Sequence, residues 1–199
     1  VTLNLTTGGD YTPFLKYNAK AGRWFVKNEN GDEVEVQNPR FAIDFENIKT
    51  GWICFPPASP PQFVWDYNGE RQPRPEPIGK AQYKDGFEVM VYGSDPVPHL
   101  GGQPLGLRQW TSNANAAKGS VKRAYDLFEK GKAANPKKVP VFRCTGVSII
   151  KGINGDSFEP IFELEQWVER SRISEFETAP EAPPPASPPD DELDDEVPF

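Results

Sequence analysis

From residue 22 onward the apolar positions recur mostly with a period of two, the spacing of a half-buried strand. "GRWFVKNENGDEVEVQ" (22–37) carries two β-rich arms around Asn30-Gly31, a dipeptide suited to the positive φ angles of a tight hairpin. On its first arm Trp24 and Val26 share one face, and Phe25 shares the other with Arg23 and Lys27, which makes Phe25 an outward ring. "RFAIDFENI" (40–48) alternates Phe41, Ile43 and Phe45 against Ala42 and Asp44. "GWICF" (51–55) and "QFVWDY" (62–67) flank Pro56-Pro57 and Pro60-Pro61, so a stiff loop interrupts the pair or the pair lies at a sheet edge. "GFEVMVYG" (86–93) sets Phe87, Val89 and Val91 against Glu88, Met90 and Tyr92.

One segment has the helical period instead. "SVKRAYDLFEKGKA" (120–133) begins at a candidate N-cap, Ser120, and spaces Val121, Ala124, Tyr125 and Phe128 on one face, with Lys122, Arg123 and Lys130 outward. The strand period then returns in "VPVFRCTGVSIIKG" (139–152), turns at Asn154-Gly155 and runs back through "SFEPIFEL" (157–164), after which "EQWVERS" (165–171) reads as a short closing helix. Strands, one helix and a last hairpin predict a mainly β chain: an OB-fold-like β-barrel with one inserted helix. The barrel is expected over residues 1–170. "APEAPPPASPP" (179–189) is too rich in proline to pack, so 171–189 is expected to be an extended linker, its eleven proline-rich positions spanning about 34 Å. Residues 190–199 follow as a disordered acidic tip.

Charge sharpens this division. The formal net charge is -7, but seven of the 29 acids lie in residues 181–199, which hold no Lys or Arg, leaving 22 acids against 22 bases in residues 1–180. The body is neutral, so its surface is not barred from polyanions. Cys54 and Cys144 have no companion at metal-ligand spacing, and the only histidine is His99, so no metal and no cofactor is implied and a reduced, cytoplasmic setting is expected. No apolar run has the length of a membrane span. Phosphate-loop, nucleophile-elbow and zinc-protease motifs are absent from the sequence, which argues against an enzyme. Asp44, Glu46, Asp85 and Glu88 are the carboxylates that a metal-dependent nuclease would use, although scattered strand acids are usually solvated.

The body does carry the materials for single-strand binding, which needs aromatic faces for bases and cations for phosphates. Trp52, Trp65, Tyr67, Tyr83, Tyr92 and Trp110 are interleaved with Lys49, Arg71, Arg74, Lys80, Lys84 and Arg108, and Phe25 with Lys27 adds a further pair. Aromatic rings also fill β-barrel cores, so each of these has a competing structural use. The segment from Trp65 and Tyr67 through "NGERQPRPEPIGKAQYK" (68–84) concentrates both residue types and is expected to close over a strand of DNA. Lys137 and Lys138, beside Pro136, read as a solvated loop.

The chain ends in "DDELDDEVPF" (190–199), six carboxylates in seven positions and then Val197, Pro198 and Phe199. A solubility tail has no use for an aromatic beside a rigid proline, whereas a peptide captured by a pocket needs such an anchor and a charged end group. Asp194, Asp195, Glu196, Val197, Pro198 and Phe199 resemble the C-terminal tip of bacterial and phage single-stranded DNA-binding proteins, where an acidic run is commonly followed by Ile-Pro-Phe. The resemblance implies an OB-fold body that coats single-stranded DNA, joined by a linker to a tip that recruits replication, recombination or repair enzymes. The body here is longer and the linker Pro-rich rather than Gly/Gln-rich, which implies a phage-type or divergent member, in the bacterial nucleoid or host cytoplasm; a homo-oligomer other than the familiar tetramer stays open. The alternatives are a nuclease or nucleic-acid-processing factor, and a protein-interaction adaptor with a docking tail.

Overall fold

The computed structural model describes residues 12–153 and 155–171. Along them the chain forms β1 (Phe14–Asn18), β2 (Arg23–Lys27), β3 (Glu33–Val36), β4 (Arg40–Ile43), β5 (Lys49–Cys54), β6 (Gln62–Trp65), β7 (Lys84–Pro96), β8 (Pro104–Ser112), α1 (Asn115–Gly131), β9 (Lys138–Ile150) and β10 (Ser157–Glu169). One sheet holds all ten strands in the order β10-β9-β4-β7-β8-β1-β2-β3, with β5 and β6 branching from it because β5 pairs with the first half of β7 and β6 pairs with β5. All pairings are antiparallel except β1 on β8, where Leu15 lies opposite Trp110.

The sheet curls strongly into a half-barrel. Register shifts at Ile161/Phe162 and Leu164/Gln166 in β10, and at Gly93/Pro96 in β7, supply bends of the kind that turn a twisted sheet. At one end the curl brings the two flanks together: the Phe158 amide donates to the Ala19 carbonyl at 2.7 Å, and the Tyr17 hydroxyl donates to the Phe158 carbonyl at 2.8 Å. Burial pushes the Tyr17 phenol far above its ordinary value.

Alternation explains what fills the interior. Trp24 and Val26 of β2, Phe87, Val89 and Val91 of β7, and Trp110 of β8 are all at most 3% exposed and belong to one cluster. Trp24, Phe41, Trp110 and Phe162 meet mainly edge-to-face at 4.8–6.4 Å, contacts worth about 0.5–1.5 kcal/mol each beyond area burial. Helix α1 covers this interior with Val121, Ala124 and Phe128, and leaves Lys122, Arg123 and Lys130 exposed as its period requires.

The elements depart from the sequence reading in four places. α1 starts at Asn115 with Ala114 as cap; Ser120 is buried inside it, and its hydroxyl donates to the Ala117 carbonyl at 2.8 Å. "EQWVERS" is not a helix, because Gln166–Glu169 pair with Lys138–Val141 and Trp167 packs against Phe128, so tertiary pairing overrides helix propensity. "RFAIDFENI" is strand only to Ile43 and then makes a 3-10 turn at Phe45–Asn47, which lets β4 and β5 pair with successive halves of β7. β1 and β8 have no counterpart in the strands read from the sequence. The linker from residue 172 and the tip 190–199 lie outside the described residues, and no helix among the described ones is long and apolar enough to cross a membrane.

Candidate nucleic-acid interface

Aromatic rings and cations converge on the branch made by β5, β6 and the loop that leads from β6 into β7. Gly51 allows the branch to form: it faces Trp65 across the pair, and a Cβ there would run into the Val64 carbonyl and the Trp65 backbone. Trp52 lies between Val64 on β6 and Asp85 on β7, while Phe63 and Trp65 project to the opposite face of the arm.

On the first face, the half-buried Trp52 indole donates to the Gln72 carbonyl at 2.7 Å and so fixes the loop that follows β6. The Arg71 guanidinium covers the Trp52 ring at 4.3 Å and that of Arg74 approaches it at 5.5 Å, an arrangement cation–π attraction favours. Arg71 also pairs with Asp66 at the end of β6 and with Asp85 at the start of β7, and Asp85 accepts a further bond from Lys118 of α1 at 3.2 Å. Burial pushes the Asp85 carboxyl upward, but the bonds from Arg71 and Lys118 outweigh it and hold the group below its ordinary value. Arg71, which the sequence reading assigns to the single-strand site, is thus a latch across the arm.

On the second face, Phe63 and Trp65 stack at 5.1 Å with their planes 13° apart. Lys49 sits 5.9 Å above the Trp65 ring and pairs with Glu88 at 2.8 Å, which in turn accepts from Gln109 at 2.6 Å. The register carries this face across the sheet, since Met90 lies opposite Gln109, Gln109 opposite Phe14, and Lys16 opposite Phe25. Phe25 is half-buried on it and Phe14 is 44% exposed. Lys16 pairs with Glu33 and Arg23 with Glu35, leaving Lys27 as the cation of this hairpin that enters no ion pair among the described residues. Tyr92 is half-buried on the same side of β7, as its alternation implies, and burial raises its phenol.

Between β6 and β7 the loop makes two tight turns, Tyr67–Glu70 around Asn68-Gly69 and Ile78–Ala81 around Gly79-Lys80. Positive φ at Asn68, Gly69 and Gly79 is what these turns demand. They present Tyr67, 71% exposed, and Lys80. Lys80 and Lys84 form no ion pair among the described residues, and with Phe55, Gln82 and Asn113 they line a cleft of about 430 Å³. Phe55, 49% exposed directly after the end of β5, is a further candidate that no pattern in the sequence singles out, since Ile53 and Cys54 before it are both buried.

Three of the expected site residues do not reach this surface. Trp110 is fully buried at the centre of the aromatic cluster, and Tyr83 is 7% exposed, so both rings are core. Arg108 lies opposite Val91, at the other end of β7 from the arm, and its Nε donates to the Leu105 carbonyl at 2.7 Å. The four carboxylates that a nuclease would use all pair with cations: Asp44 and Glu46 share Arg170, Asp85 pairs with Arg71 and Glu88 with Lys49. No cluster of three or more metal-ligating residues occurs among the described residues. Compared with protein-family models, with curated proteins and with solved structures, the chain matches none.

Proposed function

We propose that this chain is a single-stranded DNA-binding protein whose body is an OB-fold derivative and whose acidic C-terminal tip recruits replication, recombination or repair enzymes. Connectivity supports the fold: the bent β4–β5 strand, β7, β8, β9 and β10 take the places of the five OB strands, with α1 between the third and fourth and the β1–β3 hairpins added at the flank. Nucleic acid characteristically meets an OB-fold on its second and third strands and the loop before them. The observation that carries the reading is the β5–β6 arm, which occupies that loop and gathers Trp52, Phe63, Trp65, Lys49 and Arg74 into one element. Bases would stack on Trp65, Phe25 and Tyr67, with Lys27, Lys80 and Lys84 along the phosphates. The tip supports the second half of the reading through Phe199 and the acids before it, which suit a basic-lipped apolar pocket.

Titration with oligo-dT should quench tryptophan fluorescence, with binding far tighter than to duplex. With four to six phosphates contacted, log affinity should fall against log salt with a slope of about -3 to -4. Trp65→Ala should cost about 1–3 kcal/mol at unchanged slope, and Lys84→Ala should flatten the slope by about 0.7. Equal affinity for duplex, or no response to oligo-dT, would refute the reading.

A further inference from the structure

A sheet edge with unpaired backbone groups is a template for another strand, and proteins guard such edges with charge, proline or brevity. Most edges here are guarded. β3 has four residues and carries Glu33 and Glu35; β6 has four residues and follows Pro60-Pro61; β10 carries Pro160 with Glu159, Glu163, Glu165 and Glu169. β9 is different. Its pairing with β4 ends at Arg143, the Cys144 amide still reaches the Pro39 carbonyl at 2.9 Å, and beyond that residues 145–150 have β10 on one side only, pairing with it at 146–150 past a bulge at Thr145. That stretch reads Thr-Gly-Val-Ser-Ile-Ile, with neither charge nor proline. A Cβ on Gly146 would meet nothing within 4 Å.

The side chains along this edge are as unprotected as its backbone. Ten large hydrophobic residues are exposed among the described ones, and five of them, Val147, Ile149, Ile150, Ile153 and Ile161, belong to this hairpin, Ile149 at 61% and Ile153 fully exposed. Register places Val147 and Ile149 on one face with Pro160 and Phe158, and Ile150 and Ile161 on the other with Ser157 and Gly146. An apolar surface confined to one face would suit a partner lying flat on it. Apolar residues on both faces of a bare edge suit a strand added edge-on, which covers both faces at once. None of the five is aromatic, and the surface lies on the β9–β10 hairpin, separate from the β5–β6 arm proposed for DNA.

We infer that residues 145–150 of β9 pair antiparallel with the same residues of a second copy of this chain, forming a two-fold dimer. An antiparallel edge is self-complementary, because a two-fold axis sets one strand against its copy in opposite direction with identical partners. Six residues from each copy, with their flanking aliphatic side chains, bury on the order of 1,000 Å² in total, the lower bound for a specific interface. The dimer should therefore dissociate in the micromolar range.

Sedimentation velocity on the full chain from 1 to 100 µM should show a shift from monomer to twice that mass. Ile149→Lys, a charge of the kind that guards other edges, should weaken dimerisation at least tenfold, whereas Ile78→Lys, exposed on the β6–β7 loop, should leave it unchanged. Hydrogen exchange on the unmodified chain needs no variant: amides of 145–150 should gain protection as concentration rises. A monomer at 100 µM, or a dimer that Ile149→Lys leaves intact, would overturn the inference. So would protection independent of concentration, which would mean that another segment of the same chain covers the edge.

Discussion

Arg71 shows how a residue of the expected chemistry can serve a different purpose. A phosphate contact contributes to the salt slope of binding; a latch contributes through the position of what it holds. Arg71 stacks on Trp52 and bridges Asp66 to Asp85, so it holds together the end of β6 and the start of β7. Arg71→Ala should thus lower single-strand affinity several-fold while leaving the salt slope within about 0.3 of the parent, in contrast to Lys84→Ala. The latch also predicts a pH dependence. Asp85 is held below its ordinary value, so its contribution is complete above the ordinary carboxylate range and is lost as pH falls through the depressed value. Trp52 fluorescence should therefore stay constant on acidification through the ordinary range and change only below it; in Asp85→Asn that acid step should be absent.

At the scale of elements, the arm depends on a close approach that only glycine permits. Gly51→Ala would force the Val64 carbonyl and Trp65 backbone away from β5, an overpacking cost of about 1–3 kcal/mol, and would separate Trp65 from Lys49. Amide exchange in β6 should accelerate and oligo-dT affinity fall, while the amides of β9 and β10 keep their protection. Strands such as β2 and β7 were legible because their alternation follows a boundary between interior and solvent, and β5 and β6 because β-rich runs flank the proline pairs. The same rule placed Phe25 and Tyr92 outward, and the structure leaves both half-buried on the outer side. Trp110 was not legible, because β8 alternates around Gly106 and Gln109 without a run of apolar residues, so nothing in the chain marks its ring as interior. Nor was "EQWVERS", whose local preference is helical and whose pairing with Val139–Val141 is a property of the fold alone. The latch role of Arg71 needed the fold too, since Asp66 and Asp85 lie 5 and 14 residues away along the chain.

For the whole molecule, the proposed function pairs a neutral body with an acidic end that would compete with DNA for the body's cations as a tethered rival. Removing residues 190–199 should tighten oligo-dT binding, most at low salt where the acids are least screened. Removing Phe199 alone should leave DNA affinity nearly unchanged and abolish capture of replication or repair enzymes from a bacterial lysate. Equal effects of the two deletions on DNA binding would show that the acids are not the competitor.

The pairing of β1 with β8 has a further consequence for how the chain assembles. Leu15 finds its neighbour Trp110 only after nearly a hundred intervening residues, and the β1–β3 hairpins attach to the sheet through β1. Loop closure over that distance is slow compared with hairpin formation, so β7–β8 and β9–β10, whose contacts are local, should be in place first. During synthesis β1 leaves the ribosome long before its docking site exists. Until β8 arrives, Trp24 and Val26 have no interior to enter, and they are the apolar surface that a chaperone would meet.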